Sequence, residues 1–141
     1  MLNIAVIYWS GTGNTEAMAK AIAEGIQSAG GTASIFQVSE IDVNKALTFD
    51  ALVLGCPSMG AEVLEESEFE PFYTALENQL GGKKVALFGS YGWGDGEWMR
   101  DWQTRAENVG ANLFEEGFML NETPDSDGLK QCADFGKRFI S

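Results

Sequence analysis

The chain has 141 residues, 45% of them hydrophobic, and could bury roughly 70% of its unfolded surface as one domain spanning residues 1–141. Nine basic against 21 acidic residues leave a net charge of −12. That charge disfavours nucleic acid and anionic membranes, because both need a basic footprint. Histidine is absent, which removes Ser-His-Asp and Cys-His nucleophile systems, histidine general bases and most zinc sites.

No apolar stretch approaches the roughly 18 residues of a membrane span, and the N-terminus has no basic leader region, so the chain reads as cytoplasmic. Cys56 and Cys132 form no CxxC pair and read as small apolar residues rather than redox or metal groups. Leu2 to Trp9 is a nearly continuous apolar run, the pattern of a strand buried on both faces of a parallel sheet. After it come Ser10, Gly11, Thr12, Gly13, Asn14 and Thr15, a loop with no charged residue. Met18, Ala21, Ile22, Gly25, Ile26 and Ala29 then recur at helical spacing. Residues 32–38 form a second predicted strand, 42–47 a short helix, and 51–56 a third strand closed by Pro57. A helix over 68–80 buries Phe69, Phe72, Tyr73, Leu76 and Leu80, and 83–89 is the fourth strand. A helix over 98–109, an uninterrupted strand over 112–120 and a helix over 126–139 complete the chain. Five strands separated by helices predict an α/β, doubly wound parallel sheet. Ligands of such sheets sit at the carboxyl ends of the strands, and the loops 10–15, 56–62 and 90–96 all fall at such ends.

The first loop places backbone N–H groups at a helix N-terminus, an arrangement that binds phosphate. It lacks the Lys of a Walker loop, and Gly11 and Gly13 are not followed by the third glycine of a dinucleotide fingerprint. A phosphate held by N–H and hydroxyl donors alone belongs to a ligand that is bound and kept. The second loop, Pro57, Ser58, Met59, Gly60, Ala61 and Glu62, sets a soft apolar side chain beside a permissive backbone; an ordinary turn fits the same residues. In the third, Ser90 to Gly96, three glycines surround Trp93 and let the backbone approach a ligand closely. Met59 and Trp93 facing each other above a phosphate loop would make a slot for a planar, phosphorylated heterocycle.

The segments Tyr8 to Glu16, Met59-Gly60 with Glu62 to Phe72, and Gly82 to Gly96 together resemble a flavodoxin, most closely the short-chain clostridial type. The likeness runs from Asn3 to about Phe139. It implies the flavodoxin-like strand order 2-1-3-4-5 and non-covalently bound FMN. It also assigns roles. Ser10, Thr12, Asn14 and Thr15, with the amides of 11–15 (Gly11 and Gly13 among them), would hold the phosphate. Met59 and Trp93 would pack on the two faces of the isoalloxazine ring. The backbone at Gly60 would meet flavin N5, and Glu62 would accept from N3. Amides near Gly92 and Gly94 would reach the pyrimidine edge, with Tyr91 beside them. Ser90 and Asn121 are candidates for ribityl or phosphate-side contacts. Pro57-Ser58 stands where some relatives have Ser-Ala, which leaves open which hydroxyl there serves the phosphate.

The implied function is a low-potential one-electron carrier that shuttles FMN between semiquinone and hydroquinone and serves redox partners in place of ferredoxin. The resemblance implies an electron-transfer protein rather than an enzyme, and a monomer is expected. An uncompensated phosphate inside a −12 protein disfavours a further negative charge on the flavin, which makes the reduced cofactor a strong reductant. In this family a peptide flip at the Gly60 position presents a carbonyl to protonated N5. Ala61 follows that glycine, where a turn needing positive φ accepts Ala poorly, so semiquinone stabilisation should be weaker by about 1 kcal/mol than with glycine. Glu62, Glu65, Glu66, Glu68 and Glu70 read equally as a solvated helix start and as an acidic collar for basic-surfaced reductases or ferredoxin-dependent enzymes. The alternatives are an NAD(P)H-dependent FMN or quinone reductase of the same fold, and a receiver domain. The first would want basic residues for the adenosine phosphates, and the second a carboxylate where this chain has Gly55-Cys56.

Overall fold

The computed structural model describes residues 2–59 and 62–140. Six strands form one wholly parallel sheet: β1 (Asn3–Tyr8), β2 (Thr32–Gln37), β3 (Ala51–Gly55), β4 (Lys84–Tyr91), β5 (Asn112–Leu113) and β6 (Phe118–Asn121). Their order is β2-β1-β3-β4-β5, with β6 also pairing β4. Among the described residues five α-helices flank the sheet: α1 (Asn14–Ser28), α2 (Val43–Ala46), α3 (Phe69–Glu77), α4 (Glu97–Asn108) and α5 (Ser126–Phe139).

Strand alternation divides the core in two. Ala5, Ile7, Leu52, Leu54, Val85 and Leu87 point to one face and pack with Phe69, Tyr73, Trp98 and Trp102 of α3 and α4. Ile4, Val6, Val53, Ala86 and Phe88 point to the other and pack with Met18, Ile22, Phe135 and Phe139 of α1 and α5. Both faces of the central strands are therefore dry, which is why their sequences read as apolar runs rather than alternations. Helices α1 and α5 meet through two glycines. A Cβ on Gly25 would lie 1.9 Å from the Ala133 carbonyl oxygen, and one on Gly136 would lie 2.2 Å from that of Ile22. Cys56 and Cys132 are buried and unpaired, as their spacing predicts; burial raises both thiols, Cys132 to about 12.

One expectation is corrected. Residues 112–120 do not run as a single strand: β5 stops at Leu113 and β6 begins at Phe118. Val85 pairs with Leu113 and Phe88 with Phe118, so four residues on one side face two on the other and the surplus must loop out. The loop turns through Glu115, whose φ is 54°, and its carboxylate pairs with Arg138 at 3.0 Å. It closes at Gly117, whose amide donates to Gln103 Oε1 at 2.9 Å and whose missing Cβ leaves room for Met99. An unbroken run of apolar and acidic residues hides this bulge, because the outward turn substitutes no breaker until Gly117.

Candidate functional site

The three unusual loops do converge. A cleft of about 560 Å³ opens at the carboxyl ends of β1, β3 and β4, and it is lined by residues of all three loops. That volume falls within the roughly 300–1,000 Å³ of small-molecule sites. From the first loop come Gly11, Thr12 and Asn14; from the second Pro57, Ser58 and Met59; from β4 and its loop Ser90, Tyr91 and Gly92. No Lys or Arg is among the described residues that line it.

The loops are held by hydrogen bonds within and between them. Ser10 Oγ accepts from the Gly13 amide at 3.1 Å, and Gly13, at φ 97°, caps α1 in the left-handed region that glycine permits. The hydroxyls of Thr15 and Ser90 bond one another at 2.8 Å, tying the start of α1 to β4. Thr15 is 1% exposed, so its hydroxyl serves the floor of the cleft rather than its lining. The Ser58 amide donates to the Ser90 carbonyl at 3.0 Å, and Met59 and Val63 exchange two 2.9 Å backbone bonds. Glu62 takes a positive φ of 55°, and its Oε1 accepts from the Gly96 amide at 3.3 Å, joining the second loop to the third. Gly94 must be glycine there: its φ is 84° and a Cβ would lie 2.3 Å from Glu62 Oε1. Gly60 and Ala61 lie outside the described residues.

Several expected residues stand apart from the cleft wall. Trp93 is 56% exposed and is not among the lining residues; Asn121, at the end of β6, is also exposed and precedes the two residues that do line the cleft, Glu122 and Thr123. Trp9 was the third lining residue that the sequence pattern missed. Its apolar character assigned it to the first strand, which ends at Tyr8, although its amide still donates to the Gly55 carbonyl at 3.0 Å.

The five carboxylates of 62–70 separate into distinct jobs. Glu65 is 6% exposed and so is no part of an exposed collar. Its Oε1 accepts from the amides of Glu68 (2.8 Å) and Phe69 (2.9 Å), and its Oε2 from that of Ser67 (2.9 Å). Burial opposes its ionisation, yet these N–H groups hold its carboxyl below the ordinary value. Glu70 is likewise depressed against burial, here by Arg105, whose guanidinium bonds both Glu70 (2.8 Å) and Glu77 (2.8 Å). Glu66 and Glu68 remain exposed.

The flavodoxin family profile matches residues 6–136. A flavodoxin of Clostridium beijerinckii is 49% identical over 96% of this chain and 98% of its own length. A flavodoxin of Megasphaera elsdenii is 45% identical over 95% of this chain and 96% of its own. The solution structure of two-electron reduced Megasphaera elsdenii flavodoxin superposes with a TM-score of 0.85 at 44% identity, covering 96% of this chain and 98% of that one. The chain belongs to the flavodoxin family.

Flavodoxins bind FMN, and the cleft has the chemistry to take it. Ser58 Oγ is buried without a hydrogen-bond partner on the cleft wall, where an unmade bond costs about 1–3 kcal/mol unless a ligand or water completes it. Nothing lies within 4 Å of a Cβ built on Gly13 or Gly92, so the backbone there is open to a close neighbour. Among the described residues no helix is long and apolar enough to cross a membrane.

Proposed function

We propose that this flavodoxin is a low-potential one-electron carrier that cycles its FMN between semiquinone and hydroquinone and supplies redox proteins that ferredoxin would otherwise serve. The observation that supports this reading is a first loop and a cleft lining without a single basic side chain among the described residues, in a chain of net charge −12. FMN supplies the one-electron chemistry when bound; the protein supplies position and field.

Ser10, Thr12 and Asn14, with the amides of 11–15, would hold the phosphate, and the Thr15–Ser90 hydroxyl pair would fix the loop against β4 from below. Met59 would cover one face of the ring. Trp93, exposed on its glycine-flanked loop, is free to cover the other. The Glu62 carboxylate, held against Gly94 and Gly96, would exchange that contact for the ring's N3–H. Because no cation offsets the phosphate within the lining, an added negative charge on the flavin meets Coulomb repulsion that a low-dielectric pocket strengthens. With FMN bound, a lining free of cations would disfavour a second negative charge more than a first electron accompanied by a proton.

A nicotinamide reductase is less well supported. It would need cations for the adenosine phosphates, but Arg100 is paired with Asp95 at 3.0 Å and Arg105 with Glu70 and Glu77. Partners would be basic redox proteins steered by the acidic surface, of which Glu66 and Glu68 are the exposed members in this segment. Anaerobic stepwise reduction, followed by visible absorption, tests the reading. A blue neutral semiquinone should accumulate before full bleaching. Rapid bleaching by NADH alone, with no semiquinone and no partner, would overturn it in favour of the reductase.

A further inference from the structure

Trp9 lines the cleft together with Gly11, Thr12 and Asn14, yet it is anchored from outside. Its indole Nε1 donates to Glu68 Oε1 at 3.1 Å, across 59 residues of sequence, and Glu68 is one of the exposed acids beside the second loop. The ring also lies over the phosphate loop. A Cβ on Gly11 would sit 2.9 Å from Cη2 and 3.2 Å from Cζ3 of Trp9, so glycine at 11 is what lets the indole close down on the backbone. An indole has only two side-chain torsions, and its hydrogen bond to Glu68 together with the contact at Gly11 leaves it little freedom to swing away.

We infer that Trp9 is a cofactor-positioning wall of the phosphate loop and that Glu68 is the residue that sets its orientation. The inference rests on the FMN reading above. An aromatic wall beside the loop excludes water from one side of the N–H donors, and hydrogen bonds and charges interact more strongly where water is displaced. Glu68 acts through the indole and not through its charge. A carboxylate near a bound phosphate opposes binding by Coulomb repulsion, so a purely electrostatic role would make Glu68 a hindrance.

The opposing signs give the test. Glu68→Gln and Glu68→Ala remove the same charge, but only Gln keeps an oxygen for the indole N–H. Apoprotein of each variant is titrated with FMN, following quenching of flavin fluorescence, and thermal unfolding is recorded beside it. Glu68→Ala should bind FMN about fivefold more weakly than Glu68→Gln, the size of one net hydrogen bond. In a Trp9→Phe background, which has no N–H to donate, the two should bind equally. Equal affinities of Glu68→Ala and Glu68→Gln with Trp9 in place would overturn the inference. So would a difference that persists unchanged in Trp9→Phe. A purely structural Glu68 would lower the unfolding temperature of Glu68→Ala without separating the two FMN affinities. Where Trp9→Phe fails to fold, the Gln/Ala comparison decides alone. Wild-type apoprotein that takes up no FMN would instead refute the cofactor reading on which this rests.

Discussion

Replacing Glu65 should reveal how far one buried carboxylate holds the helix beneath the second loop. Its two oxygens take the first free amides of α3 and the turn before it, from Ser67, Glu68 and Phe69, at 2.8–2.9 Å. In Glu65→Ala the Phe69 amide is the costly one, because Phe69 is fully buried and water cannot replace the lost acceptor. A buried unsatisfied donor costs about 1–3 kcal/mol. Ser67 and Glu68 are exposed, so their amides recover most of their bonding from solvent. Loss of a negative charge at a helix N-terminus adds about 0.5–1 kcal/mol. The sum is about 3 kcal/mol, or a fall in Tm of about 10 °C for a chain of this size. Glu65→Gln keeps one oxygen for Glu68 and Phe69 but turns an N–H toward that of Ser67, so about 1–1.5 kcal/mol is expected. Urea unfolding of apoprotein at pH 7 measures both free of cofactor linkage. The pH dependence has a definite sign. The folded carboxyl is held below its ordinary value of 4.5, so its contribution is complete above that pH. It is lost as the pH falls through the depressed folded value. The gap between wild type and Glu65→Gln should therefore narrow below pH 4.5. An alanine variant within 0.5 kcal/mol of wild type, or a gap that widens in acid, would refute the capping argument.

Gly25→Ala should cost more than 2 kcal/mol in the same unfolding assay, because its Cβ would fall 1.9 Å from the Ala133 carbonyl oxygen and force α1 and α5 apart. Thr15→Ala should destabilise by about 1–2 kcal/mol by leaving the buried Ser90 hydroxyl unpaired, and adding Ser90→Ala should cost little more, since both partners are then gone. Stopped-flow electron transfer to a basic redox protein should slow as ionic strength rises and slow further in Glu66→Gln. Glu70→Gln should leave that salt dependence nearly unchanged, because its carboxylate is already committed to Arg105, and should show its effect in stability instead.

The parallel sheet and the convergence of three loops were legible because each rests on a local signal with one structural meaning, whereas the strand order followed only from the resemblance to flavodoxins. An apolar run bounded by glycine is a buried parallel strand, and the loop after it must lie at a carboxyl edge. What escaped were decisions made by partners distant in sequence. Nothing in the order of residues 112–120 says that four residues will face two on β4, since that count depends on where Val85 and Phe88 find their mates. Composition alone likewise marked Glu62 to Glu70 as one acidic run, whereas the fold turns Glu65 inward to cap α3 and pairs Glu70 with Arg105, 35 residues away. Trp9 is the clearest case. Hydrophobicity places it in a strand, but it lies one residue past the end of β1, where the chain leaves the sheet and the next side chain faces the cleft. Its hydrogen bond to Glu68 then joins the outer acidic surface to the loop proposed to hold the phosphate. The same carboxylate is thus within reach of a docking partner and of the cofactor's wall, which makes position 68 the place where charge and geometry can be varied separately.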